Sequence, residues 1–224
     1  LIAWEGTETA RIFDYRLEFE DEFLVQEWVE WDTTSNNSVE FFNLNEGEYT
    51  FYLKGRYNLG NVGEEYSLPF SINAIDGPRL RIYPLHQIVN AGEEFDVYLY
   101  FEEVMMENDV AGLDIEIQIN SDELEFISEG YAEGELISFF SGTTIWPNPK
   151  YSNDGTIMDV IGVVDEAGIG LYGTGSLIKF RLRAKDQLGG FNINIIQGDN
   201  SFLKLNGQPT SFGEPIGGTV EVIE

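Results

Sequence analysis

Apolar and polar residues alternate with a period of two along most of the chain, and nowhere do they settle into a helical repeat. Ala10–Phe19 predicts a strand with Ile12, Tyr15, Leu17 and Phe19 turned inward, and a slip of phase near Phe13 marks a bulge. Val25–Trp31 predicts a second strand, with Trp28 or Trp31 buried, and Ser38–Phe42 a third. In Glu48–Tyr57 the pattern is clean: Tyr49, Phe51, Leu53 and Gly55 share one face, Thr50, Tyr52, Lys54 and Arg56 the other. Leu68–Ile72 closes this set, and turn residues at Asn36-Asn37, Asn45–Gly47 and Asn58–Asn61 punctuate it.

Asp76-Gly77-Pro78 reads as a linker, and alternation resumes at once in Arg79–Tyr83, which ends at Pro84. Strands are then expected at Glu94–Phe101 (Phe95, Val97, Leu99 and Phe101 inward), Leu113–Ile119 (Leu113, Ile115, Ile117 and Ile119 inward), Leu124–Ile127 and Glu135–Phe140. Thr156–Val164, Ser176–Ala184, Phe191–Ile196 and Thr219–Ile223 complete the series. So many short strands predict an all-β chain of two sandwich domains, residues 1–77 and 78–224, the second a nine-stranded jelly roll.

Charge narrows the range of partners. The chain carries 40 acidic and 12 basic residues, a formal charge of −28, shared by both halves: 16 acidic against 4 basic up to Gly77, and 24 against 8 beyond it. Such a field repels phosphate backbones and anionic bilayers, which argues against nucleic-acid binding. No apolar run approaches the ~18 residues of a membrane span, so membrane insertion is not expected. The chain has no cysteine, which removes disulfides, thiolate metal sites and cysteine nucleophiles. It opens on Leu1 in mid-pattern, as a piece of a longer exported polypeptide would.

Candidate chemistry is thin. His86 is the only histidine, so a catalytic triad or a histidine-rich metal site has no ordinary route. Carboxylate pairs are bound to arise among 40 acidic residues, and Gly168-x-Gly170 and Gly173-x-Gly175 lack the Lys-Ser/Thr of a phosphate loop. A non-catalytic protein is expected, with no required cofactor. Calcium has candidate oxygen ligands in Asp154, Asp159, Asp165 and the Asn120–Glu123 turn. Trp146, between glycine and proline-rich loop residues, with Tyr151 nearby, offers flat aromatics of the kind that grip sugar rings.

Two stretches resemble known families. Trp4, Tyr15-Arg16-Leu17, the corner Leu44-x-x-Gly47-x-Tyr49-x-Phe51 and the Gly60-Asn61 turn resemble bacterial fibronectin type III and related immunoglobulin-like modules, with the first strand absent or very short. That resemblance implies a spacer or adhesion module. Further on come Val89-Asn-Ala-Gly-Glu-Glu-Phe95, Ala111-Gly-Leu-Asp-Ile-Glu-Ile117, Gly134-Glu-Leu-Ile137, Gly173-Thr-Gly-Ser-Leu-Ile-Lys-Phe180 and Gly217-Gly-Thr-Val-Glu-Val222. In this order they resemble the cohesin domains of cellulosomal scaffoldins, over nearly all of residues 79–224. The likeness implies a non-catalytic, extracellular or cell-surface module of a bacterial or archaeal protein that binds a calcium-loaded dockerin on one sheet face. It further implies that Leu113–Ile119 and Ser176–Ala184 are neighbours there, which would make Asp114, Glu116, Gln118, Lys179, Arg181 and Arg183 the partner-binding residues. Cross-strand ion pairing on a solvated face is the competing account of those charges. A carbohydrate-binding module using Trp146 and Tyr151, and a structural or adhesive surface segment, stand as alternative functions. No D-x-[DN]-x-[DN]-G loop occurs, so a calcium-loaded partner lies outside this chain.

Overall fold

A computed structural model describes residues 1–6, 10–20, 31–42, 44–57, 61–138, 142–145, 150–151, 155–165, 168–197 and 201–224, with backbone alone for 11, 20, 138, 142–145, 150–151 and 156–165. The chain divides into two compact units, Leu1–Ala74 and Ile75–Glu224. Among the described residues the regular structure is β apart from one short α-helix and a 3-10 turn, as the alternation predicts.

In the first unit, β1 (Ile2–Ala3), β2 (Ala10–Glu20), β3 (Asp32–Thr34), β4 (Ser38–Val39), β5 (Gly47–Tyr57) and β6 (Val62–Ile72) form two sheets. The larger runs β3-β2-β5-β6, wholly antiparallel, and β1 pairs with β4. Leu17, Tyr49 and Phe51 are buried at its centre, with Ile2, Trp4, Tyr15, Phe41 and Leu53 packed against them. Phe13, not Ile12, points inward: the register shifts between Ala10 and Ile12, ahead of the expected slip, so Phe13, Tyr15, Leu17 and Phe19 share one face and Ile12 is 44% exposed. The bulge is real and lies where the strand enters the sheet. Tyr49 donates its hydroxyl to the Asn45 carbonyl, 2.7 Å away, and pins the corner ahead of β5. On the far side of the sheet Asp14 is buried, its two oxygens sharing the single Arg56 Nε–H at 2.7 and 2.9 Å, with Thr33 Oγ1 donating at 3.0 Å. Of the expected Val25–Trp31 strand, only Trp31 belongs to the described residues. It is half-buried, with Lys54 Nζ 3.8 Å from its ring centre.

The second unit comprises β7 (Arg79–Tyr83), β8 (His86–Asn90), β9 (Glu94–Val104), β10 (Val110–Gln118), β11 (Leu124–Glu133), α1 (Glu135–Ser138), β12 (Gly142–Ile145), β13 (Lys150–Tyr151), β14 (Thr156–Asp165), β15 (Gly173–Ala184), β16 (Gly189–Ile196), β17 (Phe202–Lys204), β18 (Pro209–Thr210) and β19 (Gly218–Ile223). The larger sheet runs β12-β14-β10-β16-β19-β8, with β13 on β14 and the β17–β18 pair on β10. The smaller runs β11-β15-β9-β7. Neighbours are antiparallel except β19 and β8, which are parallel. Between the sheets lies one continuous core in which Phe95, Val97, Leu99 and Phe101 from β9 meet Leu113, Ile115, Ile117 and the following Ile119 from β10. Every one of these was the inward choice of the alternation.

Three local features depart from the strand pattern. Glu135–Ser138 is one helical turn, not the start of a strand; its first N–H donates to Ser176 Oγ at 2.8 Å, and Leu136 and Ile137 enter the core. Four residues are too few for period two to be told from period 3.6. His86–Asn90, paired in parallel with β19, is a strand that alternation did not reveal. The third departure, the sheet membership of β15, bears on function.

Candidate interaction face

Because Leu113, Ile115 and Ile117 point into the core, Asp114, Glu116 and Gln118 stand on the outer side of the larger sheet. The next strand repeats this logic: Phe191, Ile193 and Ile195 are buried, and Asn192, Asn194 and Ile196 face out. Antiparallel register sets Glu116 opposite Ile196 and Gln118 opposite Asn194. Beyond β16, Asn192 faces Thr219 and Gly190 faces Glu221 on β19. The result is a row of carboxylates and carboxamides around one exposed aliphatic side chain, with no lysine or arginine on β10 or β16. A polar hollow of about 510 Å³ opens at its end, lined by Gln118, Asn120, Glu123, Asn192 and Asn194 among others. Carboxamides both donate and accept and carboxylates accept, so such a row can bind a partner's hydroxyls, main-chain groups and cations.

Lys179, Arg181 and Arg183 are elsewhere. Strand β15 lies in the smaller sheet between β11 and β9, so it is not a neighbour of β10 and its outer side faces away from Asp114, Glu116 and Gln118. The expected mixed-charge face made of both strands is therefore corrected. Alternation tells which residues point inward, but it does not tell which of two sheets a strand joins. The three cations form a cross-strand network instead. Arg181 grips both oxygens of Asp96, through Nε at 2.7 Å and Nη2 at 3.1 Å, and Lys179 Nζ lies 2.5 Å from the same carboxylate. Arg183 bridges Glu94 on β9 at 2.5 Å and Glu125 on β11 at 3.1 Å. Burial would raise the Asp96 pKa, but the hydrogen bonds from Arg181 and Lys179 outweigh it and hold the carboxyl below its ordinary value. Arg81, also in the smaller sheet, is buried against Glu102 at 2.6 Å with its guanidinium 4.2 Å from the Tyr100 ring centre.

The remaining sequence candidates contribute less. Trp146 and Asp154 lie outside the described residues; Tyr151, Asp159 and Asp165 are described by backbone alone, in β13 and β14. In the Asn120–Glu123 turn Asn120 Oδ1 accepts from the Asp122 N–H at 3.0 Å, and the Ser121 carbonyl accepts from Lys185 Nζ at 2.5 Å. Among the described residues no three His, Cys, Asp or Glu side chains gather as a metal site would require. Nor is any described helix long and apolar enough to cross a membrane. His86 sits on the outer side of the larger sheet, Nδ1 2.9 Å from Thr219 Oγ1 and Nε2 4.0 Å from Glu221. Sequence reasoning missed Asn192, Asn194 and Ile196, although the alternation of β16 already marked them as outward; what it lacked was their neighbour.

Neither a protein-family model nor a curated protein matches this chain. Solved structures do. A non-cellulosomal cohesin from the hyperthermophilic archaeon Archaeoglobus fulgidus superposes with a TM-score of 0.50 at 15% identity, over 65% of this chain and 91% of its own. The cohesin of a type I cohesin–dockerin complex from Clostridium thermocellum gives 0.50 at 15% identity, over 67% and 97%. At this identity the likeness shows a shared fold, the β-sandwich of the cohesins.

Proposed function

We propose that the chain is a non-catalytic, extracellular protein-interaction module that docks a dockerin-type partner on the outer face of its larger sheet. The observation that carries this reading is the row Asp114, Glu116 and Gln118 beside Asn192, Asn194 and Ile196, on a fold shared with cohesins, one of them solved in complex with a dockerin. The face is open rather than pocketed, and its hydrogen-bonding groups are not consumed by cations of its own strands. It suits a flat partner surface rich in hydroxyl and basic groups. The cations Lys179, Arg181 and Arg183 take no part and act as struts of the smaller sheet. Calcium, in this reading, is carried by the partner.

The first unit is read as an immunoglobulin-like module, supported by the Tyr49-to-Asn45 hydrogen bond, which has the geometry of a tyrosine corner.

Calorimetric titration of the chain with a panel of dockerins, in calcium and in chelator, tests the proposal. Calcium-dependent binding to at least one panel member is expected, and silence across the panel would overturn it.

A further inference from the structure

Within the first unit, Trp4, Phe13, Leu53, Tyr57 and Tyr66 wall a groove of about 490 Å³, inside the ~300–1,000 Å³ range of small-ligand sites. The walls follow from register. Phe13 lies opposite Gly55 across β2 and β5, and Leu53 lies opposite Tyr66 across β5 and β6. Where Gly55 interrupts the inward row of β5 there is no side chain, and the β5–β6 register shifts beside it, leaving Gly63 at the floor. Tyr66 belongs to the inward side of its strand yet is 67% exposed. An aromatic residue left exposed on the core-facing side of a sheet is the kind of exception that marks a binding surface.

Glu5 and Glu64 line the groove, and neither takes part in an ion pair among the described residues. Trp4 packs edge-on against Phe13 at 5.5 Å and forms part of the groove wall. The strand beneath, β5, is already hydrogen-bonded on both sides by β2 and β6, so the floor offers no free ladder to an added peptide strand. What it does offer is ring faces, carboxylate acceptors and a main-chain floor.

We propose that this groove binds a neutral polysaccharide chain. Sugar rings present flat C–H faces, which stack on the tyrosine rings of Tyr57 and Tyr66, and rims of hydroxyls, which donate to Glu5 and Glu64. The carboxylates and the overall charge of −28 repel anionic glycans, which restricts the ligand to uncharged ones. The site lies wholly in the first unit, so it stands or falls independently of docking on the second.

Calorimetric titration of the whole chain with cellohexaose, xylohexaose, chitohexaose and laminarihexaose tests it. At least one should bind, with affinity reduced about tenfold or more by Tyr66→Ala and by Glu64→Gln, and with a shift of the Trp4 indole N–H resonance, identified by its loss in Trp4→Phe. Tyr66→Ala should leave the melting temperature and the dockerin titration unchanged. The proposal is overturned if no oligosaccharide binds at millimolar concentration, or if binding survives both variants. Capture of a pentalysine peptide that is lost in Glu64→Gln, or self-association that is lost in Tyr66→Ala, would overturn it equally.

Discussion

Arg181 holds Asp96 by both carboxylate oxygens across β15 and β9, and Lys179 reaches the same group from two residues away. The pair is partly solvated, so its worth is that of a good surface bridge, about 0.5–1 kcal/mol. Because the Asp96 pKa is depressed in the folded state, its stabilisation is present above the ordinary aspartate range and is lost as pH falls through the folded value. Urea melts of the parent and Asp96→Asn should therefore differ at neutral pH, and the difference should close only as the pH falls below the ordinary aspartate range and through the lowered folded value. A gap that persists in acid would mean the residue acts through packing instead.

The docking face is sensitive to charge reversal. Glu116→Lys and Asn194→Lys place a cation on a face whose two central strands have none, and each should weaken a dockerin that binds the parent by about 2 kcal/mol or more. Arg181→Ala, on the opposite sheet, should leave affinity within a few tenths of a kcal/mol. The reverse ranking would move the interface to the smaller sheet.

Gly155 joins the turn before β14 to the end of β10. It has φ +88°, it is buried, and a Cβ built there would lie 2.0 Å from the Ile119 carbonyl oxygen. Ile119 in turn donates its N–H to the Gly155 carbonyl at 3.0 Å, the spacing of a sound hydrogen bond. Gly155→Ala should cost about 2–3 kcal/mol or more, read by thermal or urea unfolding, since it strains the left-handed backbone and forces the two segments apart.

In the core, Phe101 is fully buried between the sheets, with the rings of Phe212 and Phe202 at 5.7 and 6.3 Å. Phe101→Ala should destabilise the second unit by about 3–5 kcal/mol. Phe101→Leu should recover most of that loss.

Much of this was legible in the residues. The inward sets of β9, β10 and β16, and the two faces of β5, follow from period two alone, because a pleated strand must send neighbours to opposite sides. The misreadings have local causes. A bulge at the start of β2 exchanged Ile12 for Phe13, and at Glu135–Ser138 an apolar pair flanked by polar residues suited a helical turn as well as a strand. In β8 the alternation was too short to stand out between Pro84 and Gly92.

The residues alone were enough to establish that the chain is almost wholly β, that it is acidic in both halves, and which side chains of β9 and β10 turn toward a core. Those properties depend on residue type and on spacing between near neighbours. Only the tertiary structure decided that β15 joins the smaller sheet while β10 and β16 lie side by side in the larger, which parted Arg181 from Glu116 and set Gln118 beside Asn194. It also decided that Tyr66 remains exposed in the groove floored by Gly55 and Gly63. Strand partnership arises from hydrogen bonds between segments far apart in the chain, and period-two alternation looks the same in either sheet of a sandwich.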